Sequence, residues 1–169
     1  ADAQTRMNMT FSEVASPSTD TVSFNLYGKN GTAVLIAANV DFGVTNGAAA
    51  NLSELAAAIN GTSGKTGVTA SLSIDKSTMT LISDDGYDIV VENYSLVGVT
   101  GPTMNISGAD EDFNNLTDGT TQFSDASTDY YTHIPITAGT DPDTVGVGGT
   151  IKFHSPFVFS VATGSQGSD

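Results

Sequence analysis

Two histidines, His133 and His154, are the chain's only imidazoles, and neither sits in a His-Glu-x-x-His arrangement of zinc ligands with an adjacent general base. No Gly-x-Ser-x-Gly elbow offers either of them a nucleophilic serine. Cysteine is absent, which removes disulfides, thiolate metal sites and thiol nucleophiles. The nearest approach to a metal pattern is Asp110-Glu111-Asp112-Phe113-Asn114, which sets oxygen ligands at the first, third and fifth positions of a calcium loop, with Asp118 at the ninth. Asn115 then stands where the loop needs glycine, and Thr121 where it needs a bidentate glutamate. Asp84-Asp85-Gly86 and Asp141-Pro142-Asp143 are turn sequences. The residues predict no catalytic centre, no cofactor and no resident metal, and the chain is expected not to be an enzyme.

The elements that would position any site must come from a chain of 169 residues with 19 acidic and 5 basic side chains, a formal charge of −14. Phosphate backbones and anionic lipid would be repelled, so nucleic-acid and membrane-surface binding are not expected. Only 14% of residues are charged, and the polar surface must come mainly from Ser, Thr, Asn and Gly. The longest apolar run, Ala33 to Ala38, is too short to span a bilayer. The chain starts at Ala1 without a leader-like segment and ends in a polar Gly/Ser stretch, Thr163 to Asp169, so an internal piece of a longer polypeptide is expected.

Period-2 alternation dominates. Met7, Met9 and Phe11 alternate with Asn8, Thr10 and Ser12, and Val22, Phe24 and Leu26 alternate with Ser23, Asn25 and Tyr27. Gly28-Lys29-Asn30-Gly31 predicts a turn into a strand over Thr32 to Asp41, giving a hairpin. One helix is predicted after it. Asn51 caps it with Glu54 at the third helical position, Leu52, Leu55, Ala56 and Ile59 make one apolar face, and Gly61 supplies the left-handed residue that ends it. Val68, Ala70, Leu72 and Ile74 alternate next, and turns at Asp75-Lys76-Ser77 and Asp84-Asp85-Gly86 predict a three-stranded meander. Residues 100–149 show one clear strand, Tyr130 to Thr137, whose Pro135 argues for a sheet edge. Ile151, Phe153, Phe157, Phe159 and Val161 predict a final bent strand or pair of strands, with the first and last strands side by side. The fold class is mostly β, a β-rich α+β arrangement of antiparallel hairpins and a meander with one short helix packed on a sheet. Three parts are expected: an entry strand and linker at 1–21, a hairpin, helix and meander unit at 22–99, and a Gly/Asp/Thr-rich β segment at 100–169.

The order Asn51 to Asn60, the Gly-rich turn before Val68-Thr69-Ala70 and the hairpin ending Asp88-Ile89-Val90 resembles the IN motif of bacterial flagellins, which also occurs in hook-associated and filament-cap proteins. Leu55, Ala58, Ile59, Asn60, Gly67, Val68, Thr69, Ala70, Leu81 and Asp88 carry the resemblance, and all are read as structural, with Asn60-Gly61 a helix stop and Gly67 a strand start. It implies a structural component of the flagellar filament, the variable outer domain of a flagellin, extracellular, partnered with other subunits through parts of a parent chain outside this fragment. The isolated domain is expected to be a monomer. No segment has the sustained heptads of the family's assembly helices. The histidines also lack the metalloprotease pattern that some flagellins carry in this insertion.

Two alternatives accompany it, a hook-associated or cap-protein fragment and a calcium- or carbohydrate-binding β adhesin module. Asn-x-Ser/Thr sequons begin at Asn8, Asn30, Asn51, Asn60, Asn93, Asn105 and Asn115, and a composition rich in these residues accounts for them. For a flagellin, O-linked glycans on Ser or Thr within 100–149 are the better expectation.

Overall fold

Strand β1, Asp2–Phe11, alternates as its sequence demands, and in the computed structural model of the chain it runs through the middle of a sheet with Met7 and Met9 wholly buried. The structure describes residues 2–12, 17–43, 49–97, 102–109, 134–136 and 144–152. β2 (Ser18–Tyr27) and β3 (Val34–Phe42) form the expected hairpin. A two-residue strand, β4 (Ala50–Asn51), pairs with the end of β3 and leads into helices α1 (Ser53–Gly61) and α2 (Ser63–Thr66). There follow β5 (Thr69–Leu72), β6 (Met79–Ser83), β7 (Ile89–Val97), β8 (Met104–Gly108), β9 (Ile134–Ile136), β10 (Val145–Val147) and β11 (Thr150–Lys152).

Two antiparallel sheets result. One has the order β5-β6-β1-β8-β9, with β11 also on β1, and the other has β10-β7-β2-β3-β4. Met7, Met9, Met79 and Leu81 from the first and Val22, Phe24, Leu26, Ile36 and Val91 from the second join Leu52, Leu55 and Ile59 in one core. Each fully buried side chain of this kind contributes about 1.5–3 kcal/mol relative to exposure. Helix α1 packs on β3 of one sheet and β5 of the other, bridging the two layers. Rings join the layers as well, Phe11 of β1 meeting Phe42 of β3 edge-on at 5.5 Å and Tyr94 of β7 at 6.2 Å.

The mostly β class stands, but several local expectations are corrected. The strands after the helix do not form a single three-stranded meander. β5 and β6 are a hairpin in one sheet, and the Asp84-Asp85-Gly86 turn sends β7 to the other sheet beside β2. The turn is tight there, for Gly86 has φ +74° and a Cβ on it would lie 2.5 Å from that of Ala3. β7 also carries a bulge, with Asn93 and Tyr94 together opposite Phe24, and Asn93 takes the left-handed conformation at φ 55°. That extra residue turns Tyr94 inward. Ile74, expected on the inner face, is fully exposed because β5 ends at Leu72 and Ser73 to Ser77 make the turn.

Residues 100–149 contain more than one strand. β8 pairs with β1 and β10 with β7, and both are so short and Gly- or Asn-bearing that their central partners must define them. β9 is an edge strand, with Pro135 opposite Asn105. β11 lies antiparallel to the start of β1, Asp2 opposite Lys152. The expected strand residues Phe153 to Val161 lie outside the described residues, as do Tyr130 to His133 and Thr137.

Candidate functional site

All the motif residues but Leu81, on β6, and Asp88, just before β7, lie where α1, α2 and β5 come together, and the local sequence explains the corner. Asn51 caps from one residue farther out than expected. Its Oδ1 accepts the Ser53 N–H at 3.1 Å and the Ser53 hydroxyl at 2.8 Å, while Leu52 occupies the residue before the helix and Glu54 is exposed. Leu55, Ala56 and Ile59 form the buried stripe, with Ala58 half-buried at its flank.

Gly61 does not end the helical run. It is the last residue of α1 without a left-handed φ, Thr62 follows at φ −106°, and the chain makes one more turn before Gly67 stops it at φ +70°. Gly67 is thus the helix stop rather than the strand start. The extra turn is anchored from outside, because Thr66 O accepts the Lys29 N–H at 2.8 Å and Lys65 O accepts the Asn30 amide at 2.7 Å. Backbone contact at this point requires glycine, since a Cβ on Gly28 would lie 2.1 Å from Thr66 O.

Asn60 has a different part from the stop its position suggests. Its Oδ1 accepts the Ala70 N–H at 2.8 Å, and its Nδ2 donates to Ala70 O at 3.0 Å. The side-chain amide thereby occupies both main-chain groups of Ala70, which point away from β6. Val68 and Leu81 are buried, Ala70 half-buried, and Thr69 and Asp88 exposed. The ten residues therefore divide into core positions, a glycine stop, an edge clamp and solvent positions. Nothing in the sequence pattern alone distinguished the clamp.

The β5–β6 tip is held by Asp75, whose carboxylate accepts the Ser73 hydroxyl at 2.5 Å and the Ser77 hydroxyl at 2.9 Å. These bonds, Ser73 first, hold its carboxyl below the usual range. Lys76 sits at φ 63°, and its carbonyl accepts the Leu52 N–H at 3.0 Å, tying the tip to the start of α1. Elsewhere, burial pushes the Tyr94 phenol well above its ordinary value, and its hydroxyl donates to Pro102 O at 3.1 Å. On the open face of the β2–β7 sheet Tyr27 donates to Glu92 at 2.7 Å, and this bond raises the Tyr27 phenol too.

Among the described residues no group of three or more His, Asp or Glu could hold a metal ion, and no helix is long and apolar enough to cross a membrane. His133, His154 and the Asp110 to Asp118 run lie outside the described residues.

Compared with models of known families, residues 21–85 match the flagellin hook IN motif. No curated protein matches the chain. The matched segment runs from within β2 to the β6–β7 turn, less than half of the chain, and takes in the hairpin, both helices, the Asn60 clamp and the β5–β6 pair. The match is to that segment alone, and it supports a flagellin-related structural role.

Proposed function

We propose, from the flagellin hook IN motif at residues 21–85, that this chain is the outer domain of a flagellin, a passive body projecting from the filament core. The motif carries the reading, and the fold supports it. The two sheets and α1 share one core. β1 and β11 lie side by side in the first sheet. The domain sets surface charge and antigenicity, and is a monomer by itself. At −14 per copy, repeated copies coat the filament with negative charge, screened beyond about 8 Å at physiological ionic strength. O-linked glycans on hydroxyls within residues 100–149 suit such a surface.

Gold-labelled antibody raised against the isolated domain tests the placement on native flagella. Decoration along the whole filament is the expected result. Label confined to the hook junction or to the tip would assign the chain to a hook-associated or cap protein. A parent protein lacking residues 1–169 should still assemble into filaments.

A further inference from the structure

Asn-Gly occurs at Asn30-Gly31, Asn46-Gly47 and Asn60-Gly61, and Asn46 lies outside the described residues. In such a pair the glycine nitrogen can attack the asparagine Cγ, because glycine has no side chain to block the approach. The N–Cγ bond forms, the Cγ–Nδ2 bond breaks, and ammonia leaves with the proton from the glycine nitrogen. Water then opens the cyclic imide at either carbonyl, leaving aspartate or isoaspartate.

The structure separates the two described pairs. A Cβ on Gly31 or on Gly61 would meet nothing within 4 Å, so access does not distinguish them. The hold on the side chain does. Asn30 is exposed in the Gly28–Gly31 turn, where the Gly31 N–H donates to Gly28 O at 3.1 Å, and its amide is held by one bond, to Lys65 O. Asn60 lies in the last turn of α1, with its amide held by two bonds to Ala70. Attack at Asn60 requires both bonds to break and the helical turn to open.

We propose that Asn30 is a site of spontaneous deamidation in the folded chain, and that the Ala70 clamp shields Asn60 from the same reaction. At Asn30 the product places an oxygen where Nδ2 donated to Lys65 O. The β2–β3 turn then loses this one of its two ties to α2, keeping the bond from Lys29 N–H to Thr66 O, and gains a negative charge. Isoaspartate adds a methylene to the turn backbone as well.

The test is peptide mapping by tandem mass spectrometry of the intact chain over time in mildly alkaline buffer at physiological temperature, with enzymatic methylation to reveal isoaspartate. Asn30 should convert at least about tenfold faster than Asn60, the factor expected from one further hydrogen bond and the helical turn. In concentrated urea the two rates should become nearly equal, because both asparagines precede glycine. Equal rates in the folded chain would overturn the proposal. So would a ratio that persists in urea, since it would assign the difference to local sequence.

Discussion

Asn60 and Ala70 pair as two strand residues would, the Asn60 amide accepting the Ala70 N–H at 2.8 Å and donating to the Ala70 carbonyl at 3.0 Å. Among the described residues β5 has a strand on one side only, β6, so its outer edge would otherwise present unpaired main-chain groups that invite another strand. One helical side chain satisfies the two at Ala70. It also ties α1 to the first sheet while Leu55 and Ile59 of the same helix bury themselves in the shared core.

Removing that amide should cost stability. Asn60→Ala loses two hydrogen bonds of about 1 kcal/mol each and regains up to about 0.7 kcal/mol in helix propensity. A net loss of about 1.3–2 kcal/mol is expected in urea unfolding, together with faster exchange of the Ala70 amide. Asn60→Asp still accepts the Ala70 N–H but sets a carboxylate oxygen against the Ala70 carbonyl, and this repulsion should make its loss the larger. An unchanged midpoint with Ala70 still protected would show that the clamp contributes nothing.

Much of the fold is legible in the sequence because its signals are local. The β2–β3 hairpin follows from alternation around a Gly-Lys-Asn-Gly turn, and α1 from the spacing of Leu52, Leu55, Ala56 and Ile59. Sheet membership is not local, and nothing in the alternation of Ile89 and Val91 says that β7 pairs with β2 rather than β6. The choice between Gly61 and Gly67 as helix stop is equally hidden, since it depends on Lys29 and Asn30 holding the Lys65 and Thr66 carbonyls from another element. Val145-Gly146-Val147 is too short for any period to show. The motif residues could be named from the pattern, but the clamp at Asn60 exists only once β5 lies beside α1.

The left-handed glycines should differ sharply in tolerance. Gly31→Ala meets open space and carries only the backbone cost of its φ of +57°, about 1–2 kcal/mol. Gly86→Ala carries that cost at φ +74° and also drives a methyl into Ala3, adding about 1–3 kcal/mol of overpacking. Thermal or urea unfolding of the two variants measures the gap. Equal losses would mean that the β6–β7 crossover relaxes away from β1 without penalty.

The motif residues should separate by burial rather than by membership. Leu55→Ala and Leu81→Ala each empty a fully buried position and should lower stability by about 2–5 kcal/mol. Asp88→Asn alters an exposed residue and should stay within about 0.5 kcal/mol. A large loss at Asp88, again by urea unfolding, would assign it a contact beyond its solvent position.

Tyr94 should make the domain sensitive to alkali. Burial raises its phenol, so the folded state keeps the proton after the unfolded chain has begun to release it near pH 10. The stabilisation linked to this group is fully present below about pH 10, and it is lost as the pH rises toward the folded-state pKa, because there the unfolded state binds fewer protons. Tyr27, raised by its bond to Glu92, acts in the same direction. Tyr94→Phe deletes the donor to Pro102 O and should cost about 1 kcal/mol at neutral pH. The same variant should flatten the alkaline decline, so the two proteins should approach each other in stability as the pH rises above about 10. Urea unfolding across that pH range measures both effects, and parallel curves would exclude Tyr94 as the titrating group.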